Sequence, residues 1–246
     1  MRIALITDAW KPQINGVVRT LSTLDNRLRA LGHLVKVIQP GLFNTVPMPG
    51  YAEIRLAVWP DGKVRRLLDA FEPEHIHIAT EGPLGLAARR YCTAHNLQFT
   101  TSFHTRFPEY VNTRVPILPI GPGYALMRWF HGAATRTLVS NQDLIEELRN
   151  RGFSNLVLWR RGVDTDLFRP MAKDFLDGPR PIFMYMGRVA PEKNIEDFLR
   201  LDLPGTKYVV GDGPARQELE ARYPEIRFTG MQTGEALVRH LSNADC

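Results

Sequence analysis

Cysteine is nearly absent from this chain. Only Cys92 and Cys246 occur in 246 residues, with no C-x-x-C pair, so neither a disulfide framework nor a thiolate zinc site is implied. Long apolar runs are missing too. The amino terminus offers a short apolar stretch, Ile3 to Ile6, before Asp8, too short for the apolar region of a signal peptide and far too short to cross a bilayer. The expectation is a chain that is neither secreted nor membrane-spanning, in a reducing cytoplasm. The net charge is +5, yet no run of five or six like charges exists, which argues against nucleic acid as a partner. No G-x-G-x-x-G follows a strand and no pyridoxal-binding lysine motif is found, which disfavours a dehydrogenase, an epimerase and a phosphorylase.

What is present is an ordinary globular balance, 44% hydrophobic and 23% charged, over a length that suits two domains. Short apolar runs alternate with helical patterns, the mark of parallel sheets covered on both faces by helices. Strands are predicted at "RIALIT", "LVKVIQ", "HIHIAT", "QFTTSFH", "RTLVS", "PIFMYMG", "TKYVVG" and "IRFTG". Between the first two, Val17, Leu21, Leu24, Leu28 and Leu31 recur at spacings of three and four, and Gly32 stops the helix they define. Between Arg160 and Pro181 the pattern lapses into a polar, proline-bracketed stretch. A domain boundary is expected near 170 to 180, separating residues 1–170 from 178–246.

Ligands of open parallel sheets bind beyond the carboxyl ends of the strands. Gly16 immediately precedes a long helix, whose free N–H groups favour an anion, or it is simply a turn residue needing positive φ. Arg188 and Lys193, in "GRVAPEKN", gather two cations where a strand stops, placed for a doubly negative group or for a solvated helix start. His104, in "SFHTRFPEY", stands at a strand end ahead of Arg106. Glu81, in "TEGPLG", either faces a ligand or caps the helix behind it.

Six motifs in order, "PQINGVVRT", "TEGPLG", "SFHTRFPEY", "RGVDTDLF", "GRVAPEKN" and "VVGDGP", make the whole chain resemble the retaining nucleotide-sugar glycosyltransferases of the GT-B fold, most closely bacterial GDP-mannose-dependent mannosyltransferases. The resemblance implies an α/β protein of two doubly wound Rossmann-like domains facing a cleft, the second incomplete. It implies that Arg188 and Lys193 grip the donor diphosphate and offset charge growing there in the transition state, so that no metal and no cofactor beyond the donor, GDP-mannose or a UDP-sugar, is needed. Gly16 would let backbone approach the donor phosphate, and Gly211 and Gly213 would leave room for the nucleotide. His104 would stand beside the transferring sugar, and Glu81 and Arg106 would face the acceptor. Retention too comes from the resemblance, with the departing diphosphate deprotonating the acceptor rather than paired carboxylates acting.

The expected function is hexose transfer to a glycolipid or glycan, in the cytoplasm or peripherally at the inner membrane face. The helix of "DGKVRRLLDAFEP" either rests on an anionic membrane or packs on the sheet, and the second is favoured. Only about 65 to 70 residues follow the connection, where a domain usually needs ~100 to 150. The second domain is therefore expected to be half built and the chain by itself nearly inactive. The alternative is a fragment that binds nucleotide or acceptor without turnover.

Overall fold

The structure, a computed structural model, describes residues 1–13, 15–48, 51–106, 108–109, 120–160 and 162–246, the side chains at 51–53 and 192 excepted. It divides into two compact units, Met1–Arg161 and Gly162–Cys246.

The first unit is built on six strands, β1 (Arg2–Ile6), β2 (Leu34–Ile38), β5 (His75–Ile78), β6 (Thr100–Phe103), β7 (Arg136–Val139) and β8 (Leu156–Leu158). All pair in parallel in the order β2-β1-β5-β6-β7-β8, so every carboxyl end lies along one edge. Around them are α1 (Gly16–Ala30), α2 (Asp61–Phe71), α3 (Pro83–Ala94), α4 (Ile120–Gly132) and α5 (Gln142–Asn150). Strand alternation explains the apolar runs. In β1, Ala4 and Ile6 enter a core with Ile38, Val64, Leu68, Ile78 and Leu84, whereas Leu5 enters another with Leu21 and Val35. The outermost element is an antiparallel hairpin, β3 (Thr45–Met48) and β4 (Tyr51–Ala57), which the sequence pattern does not reveal.

Helix α2 settles the choice left open for its apolar face. Val64 and Leu68 are wholly buried, and Leu67 and Phe71 pack against the same core. Burying a leucine contributes roughly 1.5–3 kcal/mol, so that face belongs to the sheet rather than to a bilayer. Among the described residues no helix is long and apolar enough to cross a membrane.

The second unit holds β9 (Ile182–Met186), β10 (Thr206–Val210) and β11 (Arg227–Gly230), parallel in the order β11-β10-β9, with α6 (Ile195–Arg200), α7 (Arg216–Arg222) and α8 (Gly234–Asn243). Val189, Ile195, Leu199, Val209, Leu219 and Ile226 form its core.

The break between units falls earlier than the expected 170 to 180, because the polar stretch is fastened to the second unit. Asn243, fully buried, accepts from the N–H groups of Phe175 (2.9 Å) and Leu176 (3.3 Å) and donates to the carbonyls of Ala172 (3.0 Å) and Arg239 (2.9 Å). Asp245 accepts from the Ile182 N–H at 2.8 Å and pairs with Lys173 and Arg180, each at 2.6 Å. The Ile182 N–H, then Lys173 and Arg180, hold its carboxyl well below the usual range. The Met184 N–H also donates to the Cys246 carbonyl at 2.8 Å, so residues 245–246 run beside β9 on the side away from β10.

Candidate functional site

The edge where the neighbouring strands β1, β5 and β6 end leads into the segments that carry Gly16, Glu81 and His104 respectively. It also brings in one residue that sequence reasoning passed over. Asp8, 6% exposed, follows β1 and accepts from the Leu84 N–H (2.9 Å), the Thr80 hydroxyl (2.8 Å) and the Gly85 N–H (3.4 Å). It therefore satisfies the amino end of α3, the capping role weighed for Glu81. A Cβ on Gly82 would lie 2.5 Å from the Asp8 carboxyl, and one on Gly85 would lie 1.9 Å from the Thr80 carbonyl oxygen. Gly82 thus makes room for Asp8, and Gly85 for the Thr80 backbone. Burial pushes its carboxyl up to about 6, against those hydrogen bonds and with a contribution from Glu81.

Glu81 turns elsewhere. Its Oε1 lies 3.2 Å from Nε2 of His131, a fully buried residue of α4. His131 Nδ1 is 2.9 Å from the Thr101 hydroxyl, itself 2.9 Å from that of Thr137.

Gly16 is the first helical residue of α1, so the turn reading with positive φ is not the one adopted. Asn15 caps the helix, its Oδ1 accepting from the N–H groups of Val17 and Val18, both at 3.0 Å. Among the described residues that leaves the Gly16 N–H without a hydrogen-bond partner in this turn.

His104 is half-buried, its ring 6.1 Å from that of Trp159, which in turn stands 6.4 Å from His77 on β5. His77 lies between the hydroxyls of Thr100 (2.8 Å) and Ser102 (2.9 Å), and burial lowers it to about 4, keeping it neutral. Arg106 pairs through its Nη2 with Glu147 of α5 at 2.6 Å. Glu147 also holds Arg151 at 3.3 Å. The Arg106 ion pair ties its segment to α5.

In the second unit, Arg188 and Lys193 are exposed on either side of the buried pair Val189 and Ala190, in the turn from β9 to α6. The Tyr185 hydroxyl steadies that turn by donating to the Arg188 carbonyl at 3.0 Å. The loop after β10 lies alongside: the Val189 N–H donates to the Asp212 carbonyl at 2.9 Å and the Ala215 N–H to that of Val189 at 3.2 Å. A Cβ on Gly211 would sit 1.8 Å from the Gly187 carbonyl oxygen, and one on Gly213 would sit 2.2 Å from that of Val189. Glycine is therefore demanded at both positions by the close approach of two backbones.

Asp164 and Asp166 form a D-x-D spacing within "RGVDTDLF". Asp164 Oδ1 accepts from the Leu167 N–H at 3.4 Å, and the Asp166 carbonyl accepts from Arg169 at 2.7 Å, so both build a turn. Among the described residues no group of three or more His, Cys, Asp or Glu side chains is placed to hold a metal ion.

The family model described as Glycosyltransferase Family 4 matches residues 14–167. A GDP-mannose-dependent alpha-mannosyltransferase of Mycobacterium tuberculosis is 27% identical over all of this chain and 71% of its own length. One from Corynebacterium glutamicum is also 27% identical, over all of this chain and 65% of its own. Among solved structures, sucrose-phosphate synthase from Thermosynechococcus elongatus matches 99% of this chain and 74% of its own with a TM-score of 0.72 at 18% identity. Anabaena HepE in complex with UDP and glucose matches all of this chain and 72% of its own, with a TM-score of 0.64 at 14% identity. These likenesses show the fold, which is GT-B.

Proposed function

The chain belongs to Glycosyltransferase Family 4, and we propose that it moves a hexose from a nucleotide diphosphate sugar to a glycolipid or glycan with retention of configuration. The observation that carries this reading is the exposed pair Arg188 and Lys193 at the carboxyl end of β9, held on a turn that the Tyr185 hydroxyl and the loop after β10 brace. Charge-assisted hydrogen bonds contribute roughly 1.5–3 kcal/mol each, so two such donors suit a diphosphate both as substrate and as leaving group. In this reading neither a metal nor a further cofactor takes part. Gly16 offers its N–H to the donor phosphate, and His104 stands beside the sugar. Arg106, half exposed in its pair with Glu147, stays on the acceptor side of this reading.

GDP-mannose ranks ahead of a UDP-sugar as donor because the mycobacterial and corynebacterial relatives carry that dependence in their names. A lipid acceptor brings with it contact at the cytoplasmic face of a membrane. Thermal-shift measurement with GDP, UDP, GDP-mannose and UDP-glucose tests the donor: a ligand at a hundred times its Kd adds about 2.7 kcal/mol of stability. If none moves the midpoint, the reading fails. Sugar transfer by the same 246-residue chain tests turnover separately.

A further inference from the structure

Glu81 is partly exposed at the strand edge, its side chain 22% accessible, and the partner of its Oε1 is an imidazole with no exposure at all. A buried imidazole on an exposed carboxylate is an unusual expenditure unless the carboxylate's position matters. Its other oxygen, Oε2, has no hydrogen-bond or ion-pair partner among the described residues.

The direction of each hydrogen bond follows from chemistry. An ionised carboxylate only accepts, so Nε2 of His131 carries the proton and donates to Glu81. In the singly protonated ring Nδ1 then accepts, which makes the Thr101 hydroxyl its donor at 2.9 Å. With that hydrogen committed, Thr101 accepts from Thr137 at 2.9 Å. The row runs from β7 through β6 and α4 to the loop after β5, each member fixing the next.

We propose that His131, held in its Nε2–H form by Thr101 and Thr137, is a positioning residue that fixes one oxygen of Glu81 so that the other accepts a hydrogen bond from an acceptor hydroxyl. This rests on the proposed transferase reading for the identity of the ligand, not for the geometry. Glu81 touches the acceptor and His131 acts through it. Without His131 the carboxylate remains, but it samples several rotamers in water and binds a hydroxyl less well.

The test needs no turnover. Nitrogen-15 NMR should show His131 as the Nε2–H tautomer, and Thr101→Val should weaken that preference; an Nδ1–H tautomer in the unaltered protein overturns the row. For the acceptor, p-nitrophenyl α-D-mannopyranoside is titrated in the presence of GDP. His131→Phe should fold, because the ring already packs against Phe130, Phe103 and Phe153 at 5.1, 5.7 and 6.2 Å between centroids. It should raise the Kd for the mannoside about tenfold, one charge-assisted hydrogen bond's worth. His131→Gln, which keeps a donor, should recover most of that. In a Glu81→Ala background the His131→Phe change should have no further effect. An equal loss in both backgrounds makes His131 merely structural, and a mannoside that does not bind the unaltered protein removes the acceptor role. Failure of the nucleotides to shift the melting midpoint is a separate result, which sinks the transferase reading while the tautomer still decides the row.

Discussion

Asp8 supplies the sharpest quantitative expectation. Its carboxyl is buried at the amino end of α3, and burial raises its pKa from 3.8 to about 6 despite three hydrogen bonds to its oxygens. A group raised in the folded state binds more protons there than in the unfolded chain, so its stabilising contribution is whole below about pH 4 and is lost as pH rises through about 6. At ~1.36 kcal/mol per pH unit, the move from 3.8 to about 6 costs the folded state about 3 kcal/mol once Asp8 is fully ionised. Asp8→Asn keeps an oxygen for the Leu84 N–H and cannot ionise. Relative to Asp8→Asn, the unaltered protein should therefore lose about 2.5 kcal/mol between about pH 4 and pH 7. All four tryptophans, Trp10, Trp59, Trp129 and Trp159, lie in the first unit, so their fluorescence in urea reports that unit alone. Unfolding curves of both proteins across this range give the difference directly. A difference that is flat, or that grows in favour of Asp8 as pH rises, would mean that the α3 amides outweigh desolvation and that the carboxylate is comfortable where it sits.

Other expectations test each unit. Arg188→Ala and Lys193→Ala should each weaken GDP binding roughly ten- to a hundredfold by calorimetry. Exposed cations add little to stability, so the midpoint should hold, and an equal loss for bare guanosine would make the pair structural. His104→Ala should leave nucleotide binding intact and lower any measurable transfer by about a hundredfold or more; unchanged kinetics removes it from the site. Gly211→Ala drives a Cβ to 1.8 Å from a backbone oxygen and should destabilise the second unit by ~3 kcal/mol or more, seen by hydrogen exchange in β9 and β10. Asn243→Ala strands the polar groups of residues 172, 175 and 176 and should cost ~2–4 kcal/mol, with proteolysis appearing between 162 and 180; a resistant variant would show that Asp245 alone fastens that segment.

The strands were legible because a parallel strand largely covered on both faces must be apolar nearly throughout, as "RIALI" is, and that leaves a mark in any short window. Edge elements leave a fainter one: β3 carries Pro47, tolerated only because the strand lies at an edge, and β8 is three residues long. The misread residues share one cause. Asp8 meets Leu84 across 76 positions, Glu81 meets His131 across 50, and Asn243 meets Phe175 across 68, so no local spacing announces any of these pairs. A motif such as "TEGPLG" therefore shows that backbone comes close to something without showing to what. Here the nearby group is a carboxylate from another strand, which frees Glu81 from capping α3 and leaves its carboxylate for His131 and a ligand. The glycines after β10 carry the same ambiguity. They are demanded by the carbonyls of Gly187 and Val189, and by that contact they hold the backbone on which Arg188 is displayed. Residues read as touching the nucleotide can thus serve it at one remove, through the shape of the turn that carries the charge, and substituting them should disturb donor binding only as far as it disturbs that turn.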